Sequence, residues 1–213
     1  VVDIDEESIT RLGQWPWPHD RLAELTEKLG RLGDSAIVFD AVFPEPDRTS
    51  PAILVERWRA DPAMAVLLPA LANLPDNDMV FARALESSST VLGLGLVARD
   101  GGINVKPKAS FATVGLNPTG GLLRYSGMIG NLPVPQSAAS GTAAFSVTAN
   151  RDVVVRSLPL VALVGDMLVP SPPLEAIRVA SGASTIIIRR DDQVGARLKN
   201  RFMAGEAALD FAA

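Results

Sequence analysis

Short β-branched runs along this chain alternate with apolar stripes spaced three and four apart, a pattern that predicts strands followed by helices. Residues 1–4 form a β-branched run ending in acids, which predicts a buried strand with a polar carboxyl end. Leu22, Leu25, Leu29 and Leu32 then share one face of a helix that Pro18 opens and Gly33 closes. Ala36-Ile37-Val38-Phe39 predicts a second strand, with Asp40 at its end. Strand, helix, strand at this spacing is a βαβ unit, which would make the two strands parallel neighbours.

Residues 50–75 read as two helical pieces, because Ser50-Pro51 and Asp61-Pro62 each place a capping residue before a proline at the first helical position. Pro69 is expected to bend or end the second piece. A helix after Asp78 turns Met79, Phe81, Ala82 and Leu85 inward, and residues 90–97 follow as a strand in which Gly93 and Gly95 permit close backbone approach. Residues 101–121 are rich in Gly, Pro and Asn and suggest no element. Residues 153–164 and 167–169 predict strands joined by a tight hairpin at Gly165-Asp166. Ser171-Pro172 opens a helix carrying Leu174, Ile177 and Ala180, Gly182 stops it, and residues 185–188 form another strand. The expected architecture is α/β: a single domain with a mixed sheet, a parallel βαβ N-terminal half, an antiparallel addition in the C-terminal half, and helices packed on the sheet.

A chain of 213 residues, 47% hydrophobic and 21% charged, buries enough apolar surface to fold, which excludes a disordered tail. Its net charge of -4, with Lys and Arg dispersed, offers no cationic footprint for nucleic acid. Cysteine is absent, so disulfides, thiolate catalysis and cysteine-based metal sites fall away together, while the compartment stays open. The longest uncharged stretch, residues 125–150, is interrupted by glycines, prolines and serines and is not read as a membrane span. The start at Val1, entered as if midway through a strand, is expected to mark a piece of a longer protein.

Three blocks in order carry a family resemblance: Val2-Asp3-Ile4-Asp5-Glu6-Glu7-Ser8, Leu12-Gly13-Gln14-Trp15-Pro16-Trp17-Pro18, and Phe39-Asp40-Ala41-Val42-Phe43-Pro44-Glu45-Pro46-Asp47. With Asp78, Phe81-Ala82 and Ala84-Leu85, the strand Val91-Leu92-Gly93, Asp152 through Arg156, and the helix from Pro170 to Arg178, the chain resembles the cyclase- and histidine-kinase-associated sensory extracellular domain of the second type. Residues 205–211 resemble its closing segment more loosely. The sequence departs from the pattern at His19, where the family often has Arg, at Val153, where it often has Gly, and in a longer stretch over residues 48–75. The resemblance implies an extracytoplasmic, periplasmic sensor of a bacterial inner-membrane receptor. It also implies membrane helices on both sides of this chain and a cytoplasmic nucleotide cyclase, diguanylate cyclase or protein kinase as output. A homodimeric receptor and an unidentified small-molecule or periplasmic stimulus go with that picture.

Trp15 and Trp17 each precede proline, which stiffens the segment. The two indoles line a ligand pocket or plug the core beside the first helix. Asp3, Asp5 and Asp40 are expected at the carboxyl ends of adjacent parallel strands, where α/β sheets bind ligands, with His19 or Arg21 as basic partners. The alternative is a polar network capping strand ends and turn amides. His19 is the single histidine, so neither a histidine metal cluster nor a Ser-His-Asp triad can be assembled with one to spare. Glu45 and Asp47, flanking Pro46, read as turn acids, and Asp152 and Arg156 lie on one strand face without a direct contact. No metal and no cofactor is expected. The leading reading is a ligand-binding sensor without chemistry of its own. The competing readings are a phosphotransferase-like enzyme with Asp3 as nucleophile, weakened by Glu6-Glu7 crowding an incoming phosphate, and a ligand-free dimerisation domain.

Overall fold

The computed structural model describes residues 1–97, 105–115, 118–145, 159–190, 199–204 and 207–212. The chain opens with α1 (Glu6–Leu12) and α2 (His19–Arg31), followed by β1 (Ile37–Val38). Three helices come next, α3 (Pro51–Trp58), α4 (Leu68–Ala72) and α5 (Asn77–Glu86), leading into β2 (Thr90–Val97). Then come β3 (Ser110–Gly115), β4 (Arg124–Tyr125), β5 (Gly127–Ile129), α6 (Pro133–Ala138) and β6 (Gly141–Phe145). The last third holds β7 (Val161–Val164), β8 (Met167–Pro170), α7 (Pro172–Ala180), β9 (Thr185–Arg190), β10 (Lys199–Ala204) and β11 (Ala207–Ala212).

These strands build three sheets rather than one. In the first, β2 pairs in parallel with β1 through Ile37 and Val38, in parallel with β6 from Val91 to Gly95, and antiparallel with β5 at its far end. Both β1 and β6 reach Val91, so they lie on opposite edges of β2. The second sheet runs β11-β10-β9-β3, antiparallel except for the parallel pair of β9 and β3. The third runs β4-β7-β8, and its β7–β8 hairpin turns on Gly165-Asp166 as the sequence predicts, with Gly165 at φ 57°. The α/β class and the antiparallel C-terminal additions are present, while the parallel pairing in the N-terminal half joins β1 to β2 rather than to residues 1–4.

Four expectations change. Residues 1–4 form no strand, because Asp5-Glu6-Glu7-Ser8 is a stronger helix start: the Asp5 carboxylate accepts the Ser8 N–H at 2.8 Å and the Ser8 hydroxyl at 2.6 Å. The parallel neighbour of β1 is therefore β2, reached across α3, α4 and α5. Pro69 sits in the first turn of α4, where its missing N–H costs nothing, so it starts that helix instead of ending one. Only Pro62–Met64 after Asp61 is 3-10 helical. Residues 110–115, read as loop, form β3, because a short run gains its strand character from pairing with the distant β9. Residues 153–158, Asp152 and Arg156 lie outside the described residues.

Three apolar clusters hold the layers together. Trp17, Leu22, Phe43, Phe81, Leu85 and Leu92 pack the α2 and α5 helices on the first sheet. Leu94, Met128, Ala144, Val164 and Val169 join the first sheet to the third. Ala109, Val161, Leu174, Ile186 and Ile188 seat α7 against the second and third sheets. Helix α2 tapers out of this packing: Leu22 is buried, Leu25 and Leu29 are half-buried, and Leu32, just past its end, is exposed. Met79, expected inward on α5, is also exposed.

The carboxyl end of β1 is closed by protein. Asn131 accepts the Phe43 N–H at 2.8 Å and donates to Gly93 O at 2.9 Å and to Gln136 Oε1 at 3.1 Å. Any side chain at Gly93 would meet the Phe145 ring at 1.8 Å and the Ala41 carbonyl at 2.5 Å. The strand end at which open α/β sheets commonly take a ligand is therefore occupied here.

Candidate functional site

The residues singled out from sequence separate into two groups. Asp3 lies in exposed coil, Asp5 caps α1, and Asp40 is exposed after β1, so these three do not converge on a shared strand end. The carboxylate trio is corrected for the same reason as the predicted strand: residues 1–4 have no sheet to join. The Asp3 nucleophile loses its structural basis too, since a strand-borne aspartate needs the strand. Asp5 is held below the ordinary carboxylate value, first by the Ser8 hydroxyl and then by the Ser8 N–H.

Trp15 and Trp17 do come together on the arm that leads into α2, while His19 and Arg21, on the first turn of α2, turn to separate partners. The two indoles meet edge to face with centroids 5.8 Å apart. Trp17 is buried in the core beside α2, and its indole N–H donates to Gly13 O at 2.8 Å, while Trp15 stays exposed. Arg21 donates to Leu12 O at 2.7 Å, tying α1 to α2. The arm is fastened to the body through the Trp17 indole and the Arg21 guanidinium, each of which donates to a backbone carbonyl.

His19 is buried. Its ring stacks edge to face on Phe43 and tilts over Phe81, and Nδ1 lies 2.6 Å from Asp78 Oδ1. Facing a carboxylate oxygen fixes Nδ1 as the protonated nitrogen. The His19 backbone N–H, one of the four left over at the start of α2, donates to Asp47 Oδ2 at 2.7 Å. Asp47 also accepts the Asn77 side-chain amide at 2.9 Å, the Thr49 N–H at 2.8 Å and the Thr49 hydroxyl at 2.7 Å, and its own N–H donates to Asp78. Ser50 Oγ donates to Asp76 and accepts the Asn77 N–H, while Asp76 caps α5 through the Asp78 and Met79 N–H groups. The first turns of α2 and α5 are thus clamped side by side. Carboxylates suit this position because both helix dipoles present their positive ends there.

Burial pushes Asp47 up, but the His19 and Thr49 N–H groups, the Asn77 amide and the Thr49 hydroxyl outweigh it and hold the carboxyl below its ordinary value. A carboxyl lowered in the folded chain contributes stability above the unfolded value of about 3.9 and loses it as the pH falls through the folded value. Urea unfolding below about pH 4 should therefore show an acid-labile increment that Asp47→Asn removes. An unchanged slope in that variant would show that Asp47 contributes nothing to acid stability.

A second buried network sits on α7. Glu175 and Arg178 form a two-pronged pair at 2.7 and 2.8 Å. Glu175 also accepts the Thr142 N–H, and Arg178 donates to Ala183 O and Ser140 O. Lys108 donates to Ser137 O and Ala139 O nearby, and burial, with the Arg178 charge second, draws its ammonium below the ordinary lysine value. Together these side chains fasten α7 and the end of α6 to β6.

Sequence reasoning missed the central place of Asp47 and the roles of Asn77 and Ser50. One signal was present: Pro75-Asp76-Asn77-Asp78 is a helix-start cluster, and Asp76, not Asp78, is its cap. Among the described residues there is no group of three His, Asp or Glu that could hold a metal, and no helix long and apolar enough to cross a membrane. Around His19 and Glu175 the structure thus shows polar networks that tie helices to one another and to the first sheet. The CHASE2 domain profile matches residues 1–212. The chain belongs to the CHASE2 family. CHASE2 domains are extracytoplasmic sensory domains of signalling receptors, not catalytic ones. No curated protein and no solved structure matches the chain.

Proposed function

We propose that this CHASE2 domain is the periplasmic, ligand-binding sensor of a bacterial receptor. In this reading membrane helices outside the chain connect it, as part of a homodimer, to a nucleotide cyclase, diguanylate cyclase or kinase in the cytoplasm. The observation that carries this reading is the family match across residues 1–212.

The absence of cysteine makes a direct test simple. In the full-length protein, Ala60→Cys places a thiol at an exposed position after α3. A membrane-impermeant maleimide added to cells with a permeabilised outer membrane is expected to label that thiol. Labelling that requires rupture of the inner membrane would place the domain in the cytoplasm and end the sensory reading.

A further inference from the structure

Helices α2 and α5 run in the same direction, so their last turns also lie together. A Cβ at Gly30, near the end of α2, would stand 2.9 Å from Ser88 Oγ, just past α5. Around this junction Glu27, Arg31, Asp34, Ser87, Ser88 and Ser89 line a cavity of about 500 Å³. Its size falls within the roughly 300–1,000 Å³ of small-molecule sites. It lies at the amino ends of β1 and β2, opposite the strand end that Asn131 fills.

The charged side chains here form no close pair, although Arg31 lies near enough to Glu24 to help Lys28 lower its carboxyl. Glu27 and Arg31 stand four apart on α2, a spacing at which exposed acids and bases commonly pair. Glu7 with Arg11 and Glu24 with Lys28 do so on this chain, both at 2.7 Å. Among the described residues, Glu27, Arg31 and Asp34 make no ion pair and no hydrogen bond. Two carboxylates against one guanidinium leave an excess of negative charge, and the carbonyl ends of two parallel helices add to it.

A simple cation would leave Arg31 with no close partner beyond the more distant Glu24 charge, and a simple anion would face both carboxylates. A molecule bearing an ammonium and a carboxylate satisfies each. The Ser88 and Ser89 hydroxyls, able to donate and accept, suit the polar remainder, the Ser87 hydroxyl being already donated to Ala84 O. We infer that this cavity binds a small zwitterion of the α-amino acid class, with Glu27 and Asp34 taking the ammonium and Arg31 the carboxylate. The biological meaning rests on the sensory reading above, whereas the binding itself does not. A ligand here touches the ends of both α2 and α5, so occupancy would bear on their packing.

The test is calorimetric titration of the purified chain with each of the twenty common amino acids, and with the carboxamide and N-acetyl form of any that binds. Saturable binding of at least one amino acid is expected. Both blocked forms should bind about tenfold more weakly or worse, since each loses a charged hydrogen bond. Arg31→Ala and Asp34→Asn should weaken binding to the same extent while leaving the circular-dichroism spectrum of the free chain unchanged. The proposal is overturned if no amino acid binds, if a blocked form binds as tightly, or if neither variant changes affinity. Impermeant labelling of Ala60→Cys proceeds regardless of these results, so failure of the ligand class is separable from failure of the sensory reading.

Discussion

Glu175→Ala should cost about 3–5 kcal/mol of unfolding free energy, because breaking a buried pair strands the remaining charge. The Arg178 guanidinium, buried beside it, would keep only the Ser140 and Ala183 carbonyls, and the Thr142 N–H would lose its acceptor. The effect is read as a lower urea midpoint with the slope unchanged. A Glu175→Leu, Arg178→Met double variant is expected to recover much of the loss, since an apolar substitute for both partners avoids the desolvation cost. A loss below about 1 kcal/mol for Glu175→Ala, the size seen for exposed pairs, would mean that water reaches the bridge.

Phe81→Ala is expected to remove about 3–5 kcal/mol as well, through a different mechanism. Phe81 is fully buried, and its ring lies 5.2 Å from Phe43, 5.5 Å from His19 and 5.6 Å from Phe39. Truncation opens a void under the His19 clamp and forfeits three ring contacts together. Phe81→Leu keeps most of the volume and should cost markedly less in the same chemical denaturation. Equal losses for the two variants would show that ring geometry, not filled volume, sets the energy. Against the roughly 5–15 kcal/mol of a typical domain, either alanine variant consumes a large share of the margin.

Elements whose pattern is complete within a few residues were legible in the sequence. The β2 run, the Gly165-Asp166 hairpin and the Ser171-Pro172 helix start all carry local signals and formed, and the α2 stripe formed as far as Leu29, leaving Leu32 exposed past its end. Elements that depend on a distant partner were not. β3 becomes a strand through β9, seventy-odd residues away in register, and no window around Phe111 reveals that. Residues 1–4 failed in the opposite sense: a strand-like composition found no edge, and the Asp5 cap prevailed. The site divides along the same line. Trp15 and Trp17 were neighbours in sequence and stayed in ring contact, whereas His19 and Arg21 turned to separate partners. Asp47 became central only because folding brought His19, Thr49 and Asn77 to it from three separate segments. Glu27, Arg31 and Asp34 lie on an ordinary solvated face, and only the neighbouring Ser87-Ser88-Ser89 turn makes a cavity of them.

The co-directional pairing of α2 with α5 also bears on how the chain reaches its native state. Two helices that run the same way cannot close as a hairpin, and the contact that aligns them joins residues 59 apart in sequence. Pairing β1 with β2 spans a comparable separation. The first layer therefore assembles through long-range encounters, which slow the search, while the β7–β8 hairpin closes locally.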